Sequence, residues 1–398
     1  MVAMVLGWIA LAIASVVFAE VVRDFYHVAG HHWEPIQQWH NLHHKAFRKD
    51  LSMVSFEAFS KAQIYNDVPE GLAMAGLGAI AAGVAGAGYG WDITWTLWLG
   101  VVYSLGFVAT AIARSKNRMM WTDLTHEPGP LTTNPAQWFV NRTYHWRHHF
   151  DSGDAYYSGT LSFVDKLLGT ALSLKGKNIA ITGASGTLGR ALIKALLAAE
   201  ARPIALTTNP NATFEEGVRS LRWQPGREDE LTEQLARVDI LIINHGVNEQ
   251  TARSPEAIAK AYEVNTFSAW RLMEVFIGTV TKSRHRALKE VWVNTSEAEV
   301  QPAISPLYEL SKRAIGDIIT LRRLDAPCVI RKLVLGPFKS NLNPIGVMDA
   351  NTVAKGIVAL AKRDFRDIIV TINPLTYITF PLKEISKSLY FRLFSKPD

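Results

Sequence analysis

Twelve histidines are present, and ten of them lie between His27 and His149. Nine of those ten form three tight groups: His27-x-x-x-His31 followed by His32, His40-x-x-His43-His44, and His145-x-x-His148-His149. Residues three and four apart share one face of a helix, so each group can aim two or three imidazoles at one point. Imidazole suits iron, copper, zinc and nickel, and ligand number must choose among them. Eight or more convergent histidines exceed a mononuclear site, and a catalytic zinc with three protein ligands leaves most of them unused. A pair of metals is the natural reading. Soluble di-iron bundles use Glu-x-x-His motifs. None occurs before the boundary near residues 171–177 described below, so the site must be histidine-rich.

The elements that would position these side chains are apolar helices. Residues 1–22 carry a single charge, Glu20, and are long enough to cross a bilayer core. No basic residue precedes this run, so it reads as a retained anchor and not as a secretory signal. Two further apolar runs, Leu72 to Tyr89 and Thr94 to Ala113, flank Asp92 and read as a tight transmembrane hairpin, the first rich in the small residues that favour close packing in lipid. Arg23, Lys45, Arg48 and Lys49 follow the first run, and Arg114, Lys116 and Arg118 follow the third, so both flanks are expected on the cytoplasmic side. All three histidine groups then share that side. Pro35 interrupts the helix between the first two groups and lets them converge. From about Leu174 the pattern changes to alternating β and α segments, so two domains are expected, 1–173 and 174–398.

The ordered boxes resemble the fatty acid hydroxylase/sterol desaturase superfamily, integral membrane di-iron oxygenases. Asp24-Phe25-Tyr26-His27 before the first box, and Ser158-Gly159-Thr160-Leu161 with Asp165-Lys166-Leu167-Leu168-Gly169-Thr170 after the third, extend the likeness over about residues 1–173. The resemblance assigns His27, His31, His40, His43, His44, His145, His148 and His149 to box positions, and His126 to a place where the family often supplies a further ligand. His32 lies off the His27/His31 face, which suits an outer role. One apparent span precedes the first box where the family has two. The resemblance implies two irons, O₂ as co-substrate, a lipid dissolved in the membrane as substrate, and electrons from an external donor protein, because no haem, flavin or iron–sulfur signature occurs in the chain.

The second half carries different chemistry. A short strand at Lys177–Ile181 runs into Thr182-Gly183-Ala184-Ser185-Gly186-Thr187-Leu188-Gly189-Arg190 and then a helix, which is the strand–glycine turn–helix context of a dinucleotide site. The following strand ends at Thr207, Thr208 and Asn209 without the acid that usually holds an NAD ribose. With Arg190 beside the turn, this favours NADP(H) and leaves NAD(H) open. Asn244-His245-Gly246 after a buried strand, Asn265, Ser296, and Tyr308-x-x-x-Lys312 complete an order that resembles the short-chain dehydrogenase/reductase family over about residues 176–372. The resemblance implies a cofactor site at Thr182, Gly183, Ser185, Gly186, Thr187, Leu188, Gly189, Arg190, Asn244, Gly246, Tyr308 and Lys312. Its catalytic set would be Asn265, Ser296, Tyr308 and Lys312. A neighbouring ammonium favours an ionised tyrosine, so Lys312 one helical turn on is expected to tune Tyr308 as acid or base.

The expected fold is thus an N-terminal α-helical integral-membrane di-iron domain joined to a C-terminal α/β, Rossmann-like, doubly wound parallel sheet. The expected function is a bifunctional lipid oxidoreductase, in which O₂-dependent hydroxylation or desaturation of a lipid carbon is coupled to NADP(H)-dependent alcohol/carbonyl interconversion. An alternative keeps the oxygenase and makes the C-terminal domain a nucleotide-binding regulatory or docking module. Histidine-based metal storage is a third reading, disfavoured by the tight boxes. With 48% hydrophobic and 20% charged residues, the 398-residue chain is not disordered, and its single cysteine, Cys328, excludes an internal disulfide. The pI of about 9.2 comes from scattered lysines and arginines, which points to a membrane surface and not to nucleic acid. Pairing into a homodimer, common among short-chain dehydrogenases, stays open. The tail from Leu375 to Phe394 alternates apolar clusters with Lys383, Lys387 and Arg392, as a segment lying on a membrane or packing on its own domain would.

Overall fold

The computed structural model describes residues 1–396 and divides into two compact units, the first comprising residues 1–131 and 135–173, the second residues 132–134 and those from Leu174 onward. Three helical stretches of the first unit are long and apolar enough to cross a membrane: Val2–His32, Phe56–Tyr89 and Trp91–Ser115. Each outruns its apolar segment, and the first carries His27 and His31 on its last two turns. The chain breaks at Trp33, which is extended (φ −121°, ψ 110°), and a second helix, Glu34–Lys45, begins with Pro35 in its first turn, where its missing N–H has no cost. Gly30 lets the two helices close up, because a Cβ there would lie 2.9 Å from the His40 ring. Gly100 does the same between the first and third spans, where a Cβ would meet the Ser15 carbonyl at 2.5 Å.

The polar residues flanking the boxes form a clasp. Asp24 accepts the Gly159 N–H at 2.9 Å, and Arg23 donates to the Thr160 hydroxyl at 3.2 Å, so the first helix is tied to the segment after the third box. Buried Asp165 accepts from the N–H groups of Tyr157 (2.9 Å) and Ser158 (2.8 Å) and from the hydroxyls of Tyr144 (2.8 Å) and Thr170 (2.6 Å). Multiple donors on one buried carboxylate are what keeps it affordable away from water.

The second unit is built on seven strands: β1 Asn178–Thr182, β2 Arg202–Thr207, β3 Arg219–Arg222, β4 Ile240–Ile243, β5 Glu290–Asn294, β6 Val329–Leu335 and β7 Asp367–Val370. All pair in parallel, in the order β3-β2-β1-β4-β5-β6-β7, with Ile181 opposite Ala205 on one side and Ile242 on the other. The direction of winding reverses between β1 and β4, so a crevice opens there at the carboxyl ends of the strands. Near-continuous burial of β1, β4, β5 and β6 explains their apolar runs.

Two cations nevertheless sit inside the sheet. Arg331 is fully buried between Glu290 (2.8 and 2.9 Å) and Asp364 (2.7 Å). Lys332 meets Glu384 of the C-terminal helix Thr376–Phe394 and the Thr320 hydroxyl at 2.7 Å. The tail therefore docks one face on its own unit. Replacing Arg331 by Met strands two carboxylates in the core and is expected to cost about 3–5 kcal/mol. Thermal unfolding followed by tryptophan fluorescence should show the midpoint falling by on the order of 10 °C.

Candidate functional site

The three histidine groups converge on two centres. In one, His27, His31, His40, His44 and His148 bring their ligand atoms within 4.8 Å of one another; in the other, His43, His126, His145 and His149 do the same. Every sequence-predicted ligand is in one of the two. Neighbouring Nε2 atoms stand 2.8 Å apart for His27 and His148, 2.8 Å for His31 and His40, 3.0 Å for His40 and His44, 2.9 Å for His126 and His145, and 3.1 Å for His43 and His149. Such spacings match the edges of a coordination polyhedron with metal–nitrogen bonds of about 2.1 Å. His32 points elsewhere, its Nε2 3.0 Å from the Tyr157 hydroxyl.

The donor set is of the right chemical form. Burial pushes His40 down to about 4, with its Asn66 bond acting the other way. Burial, then the neighbouring imidazoles His40 and His31, pushes His44 to about 3. Burial first, with repulsion from other imidazoles, likewise holds His43, His145, His148 and His149 well below the ordinary histidine value. Neutral imidazole is the form that ligates metal.

Outer partners turn several rings the right way. His40 Nδ1 is 3.0 Å from Asn66 Oδ1, His126 Nδ1 is 2.7 Å from Asp123 Oδ1, and His148 Nδ1 is 3.0 Å from the Ala155 carbonyl. An N–H given to those acceptors leaves Nε2 as the inward lone pair, the usual arrangement around bound metal. These partners were not singled out from sequence. Asn66 lies on a π-helical turn, Gln63–Asp67, inside the second span, and Asp67 beside it stands 3.8 Å from His43 Nδ1. Arg114 of the third span braces the turn by donating to Gln63 at 2.7 Å. No spacing announces a π turn; Asp123-x-x-His126 was the one legible signal.

In the second unit, the glycine turn joins β1 to the helix Thr187–Ala198. Gly183 has φ +61° and lies under His245, and a Cβ on Gly189 would lie 2.3 Å from the Gly183 carbonyl, so neither position tolerates a side chain. Helix geometry leaves the first-turn N–H groups of Thr187, Leu188 and Gly189 without intrahelical acceptors at the carboxyl end of β1, which suits an anion cradle. Buried Thr182 has a linking role: its hydroxyl accepts from the N–H groups of Asn244 (2.8 Å) and His245 (3.2 Å), holding the ends of β1 and β4 together. Ser185 meets the Thr207 hydroxyl at 3.3 Å, and Arg190 donates to the carbonyls of Ser185 (3.2 Å) and Thr213 (3.0 Å) beyond the end of β2. These residues fit a dinucleotide, with cationic Arg190 and no carboxylate at the end of β2.

The remaining set gathers beyond the ends of β4 and β5. Lys312 donates to the Asn294 carbonyl at 2.8 Å, and Asn294 donates to Asn244 Oδ1 at 2.9 Å. Asn265, on a second π turn Glu263–Ser268, clamps the chain after Gly246 through Val247 N–H (2.8 Å), Val247 carbonyl (2.9 Å) and the Ser311 hydroxyl (3.0 Å). Ser296 caps Ala298 N–H at 3.2 Å and hydrogen-bonds Tyr308. Burial raises Tyr308 above its ordinary value while the Ser296 bond opposes it, and burial pushes Lys312 down to about 8 despite Glu299. The expected tuning of Tyr308 by Lys312 is thus overshadowed by desolvation, with the ammonium 5.7 Å from the tyrosine ring centre.

Fold and site together define a Rossmann-like parallel-sheet unit with a dinucleotide crevice, in a chain whose other unit is helical, carries the two histidine clusters and has spans fit for a membrane. Over 408 aligned residues the chain is 55% identical to the monoglucosyldiacylglycerol epimerase of Synechocystis sp., covering 99% of this chain and all of that protein, and it belongs to that epimerase's family. No protein-family model matches the chain. Among solved structures, a short chain dehydrogenase from Burkholderia cenocepacia in complex with NADP is 18% identical, with a TM-score of 0.46 over 56% of this chain and all of that one. An alcohol dehydrogenase from the archaeon Thermococcus sibiricus complexed with 5-hydroxy-NADP is 18% identical, with a TM-score of 0.44 over 50% of this chain and 96% of that one.

Removing an outer partner tests whether the histidines hold metal. Asn66→Ala leaves every ligand in place and is expected to weaken metal retention about 10–100-fold against a competing chelator, with the fold unchanged by circular dichroism. Equal retention by both proteins counts against a metal centre.

Proposed function

We propose that this chain inverts one carbinol carbon on the sugar headgroup of a monoglucosyldiacylglycerol, by way of a ketone, in the nucleotide-binding unit. The full-length 55% identity to an epimerase with that substrate in its name carries the reading, and the Ser296/Tyr308/Lys312 grouping supplies the chemistry. NADP, which the glycine turn and Arg190 would hold, would supply the hydride acceptor and donor, so that the carbinol hydride could leave one face and return to the opposite face of the ketone. The oxygen of Tyr308 takes the hydroxyl proton in the first half and returns it in the second, so the inversion is redox-neutral. Ser296 hydrogen-bonds the same substrate oxygen, and the Lys312 ammonium favours the ionised tyrosine. The alcohol/carbonyl interconversion expected from sequence is then each half of an epimerisation.

The convergence of nine imidazoles favours a second activity in the helical unit, oxidation of a lipid carbon. Two irons held by the two histidine groups would supply O₂ activation toward an unreactive C–H bond, with electrons from an external donor protein. On this reading the three apolar helices cross the membrane, and both centres lie on its cytoplasmic side, where the basic flanks belong.

Glucolipid deuterated at the inverted carbon distinguishes the two. Redox-neutral inversion keeps the label in the product and proceeds without O₂ or net NADPH consumption; loss of the label together with a need for O₂ transfers the oxidation half elsewhere. Tyr308→Phe should lower turnover by about 10²–10⁴-fold while NADP binding persists. Turnover should rise with pH as Tyr308 ionises, then stop rising above about pH 8, where Lys312 loses its proton.

A further inference from the structure

A parallel sheet puts the ends of all its strands on one edge, so the segments that follow β5, β6 and β7 surround the same crevice. Within those segments the stretches 301–308, 340–348 and 371–382 contain no Asp, Glu, Lys, Arg or His, in a chain that is 20% charged, the nearest charges before them being Glu297, Glu299 and Lys339. They nevertheless face outward. Ile304 is 88% exposed, Ile345 85%, Val347 68%, Ile372 65%, and Ile378 and Leu382 62% each. Apart from these segments and the rest of the C-terminal helix, no large apolar side chain among the described residues of this unit is more than 48% exposed.

The rim is held together by hydrogen bonds. Gln301 donates to the Thr379 hydroxyl (3.1 Å), Thr371 and Thr376 donate to Glu297 (2.6 and 3.2 Å), Asn248 donates to the Leu342 carbonyl (3.3 Å), and Ser305 donates to Asn248 (2.6 Å). Tyr308 lies four residues past Ile304, in the first turn of the helix Pro306–Arg322, so the rim adjoins the reacting groups. Ile304 also has φ +56°, a costly conformation for a β-branched residue, and it leaves the side chain in solvent where no core contact repays the strain. An exposed apolar surface of this kind marks an interaction site.

We infer that this rim is a membrane-docking surface which seats the mouth of the nucleotide unit on the lipid surface, so that a glycolipid headgroup enters the crevice while its acyl chains stay in the bilayer. The inference rests on the glycolipid reading given above. Three features select lipid as the occupant. Three apolar spans in the same polypeptide keep the unit at a bilayer. The apolar stripe continues down the C-terminal helix through Ile385, Leu389 and Leu393, whose only acid, Glu384, is buried against the fold. Lys339, Arg392 and Lys396 border it with the charge that anionic headgroups attract.

The test uses the full chain in phosphatidylcholine–phosphatidylglycerol proteoliposomes. Cys328 is buried and is replaced by Ser, and single cysteines at Ile345→Cys, Ile378→Cys and, as a control before β4, Arg237→Cys carry a polarity-sensitive fluorophore. Labels at 345 and 378 are expected to be blue-shifted and quenched by spin-labelled lipid at least about twofold more than the label at 237. Quenching by aqueous iodide equal to that at 237 overturns docking. So does protection from both quenchers, which means that protein, such as a second copy, covers the rim. In a second arm, Ile345→Asp with Ile378→Asp should raise KM for vesicle-embedded glucolipid about tenfold at unchanged kcat. The fluorescence needs no turnover: a chain that docks but does not epimerise sinks the earlier reading alone, and one that epimerises without docking sinks this one alone.

Discussion

Imidazole nitrogens packed against one another at about 3 Å, away from water, are an arrangement that like groups resist. Burial strips the charged form from His40, His44 and their neighbours, and the lone pairs that remain point at two common centres. A cation shared among those lone pairs would turn mutual repulsion into cohesion. Much of the helical unit follows from meeting this constraint. The break at Trp33, the close approach at Gly30, the clasp from Asp24 to Gly159 and the π turn at Asn66 each bring a ring to its place or fix its tautomer.

The nucleotide unit obeys a different constraint, the common edge of a parallel sheet. Thr182, Asn244, Asn294 and Lys312 form a chain of hydrogen bonds across the ends of β1, β4 and β5, two of them between a side chain and the backbone and one between side chains, so the groups beside the crevice are tied to the strand ends. Desolvation is the dominant influence there. It lifts Tyr308 and lowers Lys312, so two proton affinities that are nearly equal in water are driven apart, and burial favours the neutral form of each group.

Both π turns deserve comparison. One sets Asn66 against His40, and the other sets Asn265 against the strand-end chain at Val247. In each, an extra residue in a helix re-aims a carboxamide by the fraction of a turn that regular geometry would miss, a known habit of functional sites. Asn265 was picked out because a family motif includes it; Asn66 had no such motif.

The residue order by itself determined the spans, the helix-face spacing of the histidines and the strand–turn–helix at Gly183, because hydropathy, period and glycine act locally. It also separated the two halves by composition. Which histidines share a centre was decided only by tertiary structure: His43 and His44 are adjacent in sequence yet belong to different groups, since neighbouring residues on a helix point about 100° apart. The same holds for Arg331 and Lys332, charges in a strand that make sense only beside Glu290 and Glu384 from distant segments. It holds too for the apolar rim, whose three stretches become one surface because parallel strands end on the same edge.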